Sequence, residues 1–349
     1  MFGIWRTLLA VEVVLYHLAG VRIIGQYAVF SFFVLSGFLM TAIMQGSYGY
    51  SVSGVARYLQ NRALRLYPSY WFALIVSLVL IATLGAEPMQ AYNSHFVVPP
   101  DAGEWLQNLT IVFIDWIPFD HAIRLVPPTW ALTVEIFFYV LIALGVSRTR
   151  RSTWIWAGVS LAYVIVAVSA HAVGRNGDDL YGAIAAGSLP FAMGALTWHY
   201  REEMCRIAGM IHLDKPGRAI GVRWLSWGAF LTAHQLIGRY WLIPLGNYVN
   251  IGLSMLIVCV LFHERPAERL KRIDKAVGDF SYPIYLLHWQ GAAIASMLLF
   301  GELVRGRTLA GLSAAALGLV ITVLLGFVCA RVIDPAVERR RAKIRKATI

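Results

Sequence analysis

The chain has 349 residues, 58% of them hydrophobic and only 14% charged, with a formal net charge of +11 and a mean hydropathy of +0.63. Soluble domains carry about 25% charged residues, so the composition excludes an ordinary soluble globular protein. Surplus Lys and Arg of a membrane chain collect in cytoplasmic loops, so the basic balance calls for no nucleic-acid partner and none is expected.

Apolar runs of about 20 residues cross a bilayer. Ten such runs are expected, near 4–24, 27–45, 66–86, 129–147, 153–172, 180–199, 222–238, 240–262, 280–300 and 308–332. The predicted class is therefore all-α, a polytopic bundle with both termini cytoplasmic. The seventh and eighth spans are separated only by a turn near Arg239. The first segment carries ionisable residues and no small-residue cleavage site, so it reads as a retained helix rather than a signal peptide. The apolar piece "LTIVFIDWI" at 109–117 is too short to span and reads as interfacial or re-entrant. It lies in the largest outer loop, about 87–128, which is acidic and holds His95 and His121.

The basic residues test this layout. The outer side holds only Arg22, Arg124, Arg175, Arg239, Arg305 and Arg307 of the 30 Lys and Arg. Apart from Arg6, all the others, Arg223 among them, fall in inner loops or the tail, as the positive-inside rule requires. No repeat or appended soluble domain is visible. The chain reads as one domain, 1–349, with a bundle over 1–336 and a basic tail over 337–349 that anchors at anionic headgroups. Cys205, Cys259 and Cys329 show neither CxxC nor zinc-type His spacing, so no disulfide and no metal site is expected.

Five polar stretches interrupt the apolar runs. In the first span, "RTLLAVEVVLYH", Arg6 and His17 are eleven residues apart, about 20° beyond three full turns. They share one helix face and lie about 16 Å apart along the axis. Glu12 points elsewhere and reads as structural. His17 is either a buried neutral imidazole or a functional group, since intramembrane ionisable residues are costly; Arg6 alone would fit snorkelling. In the second span, Ser36-Gly37 of "FFVLSGFLM" suits close helix packing. Before the third, Arg62 and Arg65 of "RYLQNRALRLYPSYW" are i, i+3 neighbours, either anchoring cations or a phosphate clamp, with Tyr67, Tyr70 and Trp71 at the boundary.

The fourth span opens on "PPTWALTVEIFFY". Pro127 and Pro128 suit a first helical turn, and Glu135 then lies about 8–10 Å below the outer boundary. That is close to the depth of His17, and a carboxylate there can fix a histidine tautomer or simply tie two helices. In "FSYPIYLLHW" near the end, His288 reads as a packing residue.

The succession of Arg-x10-His, "FFVLSGF", "NRALRLYPSYW", "TWALTVEIFFY" and "SYPIYLLHW" resembles the acyltransferase 3 family of integral membrane acyltransferases, in order and over almost the whole chain. The resemblance implies transfer of an acyl group, commonly acetyl from acetyl-CoA, to a hydroxyl of a surface or secreted polysaccharide or its lipid-linked precursor, in a bacterial inner membrane. It carries Arg6 and His17 onto the family's Arg–His pair, with His17 essential. Arg62 and Arg65 fall on its basic motif, Trp130 and Glu135 on its Trp-to-Glu motif, and Ser36 and Gly37 on its Ser-Gly. Two carboxylates frequent in the family are missing, since Phe30 and Ser31 precede the Phe-Phe pair and Ile136 follows Glu135. The esterase-like domain that some members append is not expected.

On this reading Arg62 and Arg65, with Arg6, hold the donor's phosphates. His17 acts as general base or transient acyl carrier, and Glu135 orients it. Ser36 and Trp130 are candidate oxyanion donors, while Trp130 or Trp116 stacks a sugar. The rivals are a flippase for a lipid-linked sugar, which would show repeats and broken helices, and a non-catalytic scaffold.

Overall fold

Lipid offers the backbone no hydrogen-bonding partners, and an α-helix satisfies its own. The computed structural model describes residues 1–112, 123–172, 180–239 and 241–346, the side chains of 171, 172, 343, 345 and 346 excepted; among these the fold is all helical, without a strand. Trp116, His121 and Arg175, and most of the apolar piece 109–117, lie outside the described residues.

In chain order the helices are α1 (Phe2–Leu18), α2 (Ile24–Ile43), α3 (Val52–Leu84), α4 (Ala86–Tyr92), α5 (Ala102–Thr110), α6 (Trp130–Ala143), α7 (Arg150–Ala172), α8 (Ile184–His199), α9 (Arg201–Met210), α10 (Pro216–Ile237), α11 (Leu242–His263), α12 (Glu268–Gly278), α13 (Ser281–Phe300), α14 (Leu309–Val328) and α15 (Asp334–Lys346). Every expected span overlaps a helix, though the bounds differ. Among the described residues, six stretches are long and apolar enough to cross a membrane: Ile24–Tyr48, Val52–Leu84, Arg150–Ala170, Leu242–His263, Glu268–Phe300 and Leu309–Ala342. The helices over the other four expected spans fall short of that. α1, α6 and α8 have 17, 14 and 16 residues, fewer than the ~20 that cross hydrocarbon. α10 is long enough but carries Arg218, Arg223, His234 and Gln235. The turn expected near Arg239 is present, made by Gly238 in the left-handed conformation (φ 69°).

The helices divide into two units that interleave in sequence. The first comprises residues 1–2, 22–58 and 134–274. Within it, α2 packs against α8 and α11. A Cβ at Gly37 would lie 2.1 Å from the Phe191 carbonyl oxygen, and one at Gly194 would lie 2.0 Å from that of Val34. α2 and α8 therefore touch backbone to backbone, the close approach that small residues allow in lipid. Around this contact Phe33 and Phe138 pack on Phe191, with ring centroids 5.2 and 4.8 Å away.

Arg223 corrects the sequence reading. It is not a loop cation but fully buried. Its Nε donates to Asn250 Oδ1 (2.8 Å) and Ser31 Oγ (3.2 Å), and Ser31 Oγ lies 2.8 Å from Ser254 Oγ. A buried charge is tolerated only with such hydrogen bonds.

The second unit comprises residues 3–21, 59–133 and 275–349. The N-terminal end of α1 is held by Thr7 Oγ1 donating to Val277 O (2.9 Å). α13 and α14 meet through Gly291 and Gly318, where a Cβ on Gly318 would lie 2.7 Å from Ala292 Cα. α3 begins at Val52, not 66, and runs through Pro68. Tyr67, Tyr70 and Trp71 thus sit in mid-helix, not at its start. They donate to the carbonyls of Thr110, Asn108 and Leu109, three last-turn carbonyls of α5 that no intrahelical donor serves. Asn108 in turn holds the returning chain through Leu125 N (2.9 Å) and Ile123 O (2.8 Å). The expected proline start of the fourth span is present as a 3-10 turn, Pro127–Thr129, ahead of α6.

Replacing Gly194 by Ala should force α2 and α8 apart and cost about 1–3 kcal/mol, read as a lower Tm in detergent. An unchanged Tm would contradict the backbone contact.

Candidate active site

α1 carries both residues of the Arg–His pair. His17 stands one residue before its C-terminus and is half-buried, as is Arg6. Glu12 between them is buried, with 3% exposure. His17 Nδ1 lies 2.8 Å from Nε2 of His288 on α13. His288 is fully buried, and its own Nδ1 lies 2.8 Å from the Tyr285 carbonyl oxygen.

These two distances assign the hydrogens. A carbonyl only accepts, so Nδ1 of His288 is the N–H and donates to Tyr285 O. In the neutral ring Nε2 of His288 is then the acceptor, and Nδ1 of His17 must donate to it. The rings are tilted by only 7°, with centroids 5.0 Å apart. Near-parallel rings with nitrogens this close share a plane rather than stack, which suits an N–H···N bond. The remaining nitrogen, His17 Nε2, carries a lone pair and makes no hydrogen bond among the described residues. Tyr285 is itself fixed, its hydroxyl donating to Pro128 O (2.7 Å).

Next to the pair stands Trp289, buried, its ring 5.5 Å from that of His17. The Tyr92 ring meets Trp289 edge-on at 5.6 Å, and the Arg305 guanidinium lies 5.7 Å from the Trp289 centroid. Tyr92 and Arg305 also line a cleft of about 240 Å³ with Pro88, Ala91 and Leu303. The Tyr92 hydroxyl has no hydrogen-bond partner among the described residues, and burial pushes it well above the ordinary tyrosine range.

The basic motif lies in the same unit. Arg62 Nη2 donates to Asn61 Oδ1 (3.0 Å), and so does Arg341 Nε (3.1 Å). The Arg65 guanidinium sits 5.8 Å from the Tyr282 ring centroid, and the Tyr282 hydroxyl donates to Leu66 O (3.0 Å). Arg341 belongs to the tail expected to anchor at headgroups. It is instead brought beside Arg62 by α15, with only 14% of its side chain exposed. Trp130 opens α6, half-buried.

In the other unit, Ser36 Oγ donates to Glu135 Oε1 (2.9 Å) and the Tyr139 hydroxyl to Glu135 Oε2 (2.9 Å). Tyr139 is one turn beyond Glu135 on α6, a legible i, i+4 spacing. The single hydrogen of the Ser36 hydroxyl is directed at Glu135, so in this arrangement Ser36 supports the carboxylate and does not donate to an oxyanion. The tautomer-fixing bond expected from Glu135 is made to His17 by His288. His288, first read as packing, is the residue that sequence reasoning undervalued; its signal was the "SYPIYLLHW" stretch itself.

Comparison with known proteins concerns the chain as a whole. A family model described as an acyltransferase domain matches residues 2–331. A curated relative from Komagataeibacter xylinus, provisionally named membrane-bound transacylase BcsY, is 26% identical over 91% of this chain and 78% of its own. No solved structure matches.

Tyr139→Phe and Ser36→Ala each remove one hydrogen bond to a half-buried carboxylate. Each should lower stability by about 1 kcal/mol or more, measured as a fall in Tm in detergent. No change in either variant would contradict the pairing.

Proposed function

We propose, from the premise that this chain belongs to the acyltransferase 3 family and is a multi-pass membrane acyltransferase, that it moves an acetyl group from cytoplasmic acetyl-CoA to a hydroxyl of a surface or secreted polysaccharide, or of its lipid-linked precursor. The location proposed is a bacterial inner membrane, with ten spans and both termini cytoplasmic. The observation that carries the reading is the lone pair of His17 Nε2, held by the chain of hydrogen bonds through His288 to the Tyr285 carbonyl. Family membership weighs against the flippase and scaffold alternatives.

In this reading His17 Nε2 takes the proton of the acceptor hydroxyl as that oxygen attacks the thioester carbonyl. The C–S bond breaks, an ester forms, and His17 returns its proton to the departing thiolate. While His17 is protonated, its Nδ1–H donation to His288 becomes charge-assisted and stronger, so the pair stabilises the charge where it develops. The same Nε2 is the atom that would bear the acetyl group if transfer runs through a covalent intermediate.

Arg62 and Arg65 are assigned to the donor's phosphates, with Arg6 and now Arg341 as further cations; guanidinium groups match phosphate oxygens in bidentate geometry. The cleft lined by Tyr92 and Arg305 is assigned to the acceptor. Its lining residues Tyr92 and Arg305 both meet Trp289, which also meets His17, and the cleft offers a phenol and a cation to a sugar.

The test is incorporation of [14C]acetyl from acetyl-CoA into glycan by membrane vesicles carrying wild type or variants. His17→Ala should lose about 10²–10⁴-fold in rate, and full activity there would overturn the mechanism. Charge reversal at Arg62 and Arg65 should raise the KM for acetyl-CoA at least tenfold with a smaller change in kcat. An unchanged KM would return both arginines to headgroup anchoring.

A further inference from the structure

A second cluster of chemically reactive side chains lies within the first unit, outside the machinery just described. Cys259 and His263 are one turn apart on α11, and α9 brings Cys205 against them. The three donor atoms, Cys205 Sγ, Cys259 Sγ and a ring nitrogen of His263, all lie within 4.8 Å of one another. Cys205 Sγ is 3.0 Å from Cys259 Sγ and 3.1 Å from His263 Nδ1, and Cys259 Sγ is 3.9 Å from that nitrogen. Donors held at 2.0–2.3 Å from one tetrahedral zinc ion stand ~3.5–3.8 Å apart, a spacing that these values bracket.

The other ring nitrogen supplies an independent sign. His263 Nε2 faces Glu202 Oε1 at 3.4 Å. A metal-bound histidine typically directs its second nitrogen at a carboxylate, which orients the ring and raises its basicity. Cys259 Sγ also donates to Arg201 O (2.8 Å), His263 Nδ1 lies 3.0 Å from Cys259 O, and Glu202 Oε1 lies 3.8 Å from Arg201 Nε. Cys259 is fully buried, while Cys205 and His263 are partly exposed, so an ion can reach the cluster from solvent.

We propose that Cys205, Cys259 and His263 form a Zn²⁺ site, with Glu202 orienting His263 and water completing the tetrahedron. Binding releases the two thiol protons, leaves both sulfurs as thiolates and requires neutral His263. The ion staples α9 to the end of α11. Sequence spacing gives the expectation of no metal here, because Cys205 lies 54 residues before Cys259 and 58 before His263.

The experiment is Co²⁺ titration and elemental analysis of the purified, tag-free chain in detergent with TCEP. The wild type should bind about one Co²⁺ per chain, with a near-ultraviolet thiolate-to-cobalt band and the intense visible bands of tetrahedral coordination; Zn²⁺ should displace it. Cys205→Ser and His263→Ala, both at partly exposed positions, should bind at least tenfold more weakly while keeping the wild-type gel-filtration profile. Glu202→Gln should weaken binding about tenfold. Absence of the thiolate band in the reduced wild type would overturn the proposal. So would equal affinity in the wild type and both ligand variants, which would place the ion elsewhere.

Discussion

The hydrogen bond between Nδ1 of His17 and Nε2 of His288 is the interaction on which the functional reading depends. Its direction follows from a group outside the pair, the Tyr285 carbonyl, which can only accept and so commits Nδ1 of His288 to be the donor. One fixed acceptor thereby sets two tautomers in series and leaves a lone pair on the outermost nitrogen. An imidazole in solution divides its hydrogen between both nitrogens. Here the arrangement is pre-organised by full burial of His288, and Tyr285 is tied by its hydroxyl to the turn that starts α6. The orienting role that a carboxylate plays in many catalytic dyads is filled by a neutral imidazole, which avoids burying a negative charge.

The rest of the second unit is arranged to support that pair. Thr7 holds the far end of α1, and glycines let α13 and α14 approach through their backbones. Tyr67, Tyr70 and Trp71 serve the open carbonyls of α5, so the end of this short helix is held against mid-α3 with those three backbone groups bonded. The first unit uses backbone contact at Gly37 and Gly194 and hydrogen bonds to the side chains of Arg223 and Glu135.

Much of this was legible from residue order. The helical class, the Arg6–His17 register, the proline start of the fourth span and the family all follow from local pattern. Partnerships across helices did not. Matching His17 with Glu135 rests on their similar depths and suitable charges, whereas the partner described for His17 Nδ1 is His288. His288 was discounted because a lone histidine on an apolar helix carries no sign of its partner. Charge also misled the boundaries: Arg57, Arg62 and Arg65 suggested a loop before residue 66, whereas the helix runs on from Val52. The same bias put Arg223 and Arg341 in solvent, since only the folded chain shows the amides and hydroxyls that receive them.

The central claim is the tautomer of His17, and ¹⁵N NMR of the histidine-labelled protein in detergent tests it most directly, with the His17 signals identified by their loss in His17→Gln. The account predicts a protonated Nδ1 and an unprotonated Nε2 on His17 at neutral pH, with His17 reverting toward a mixture of tautomers in His288→Ala. A proton on Nε2 of His17 in the wild type would contradict it.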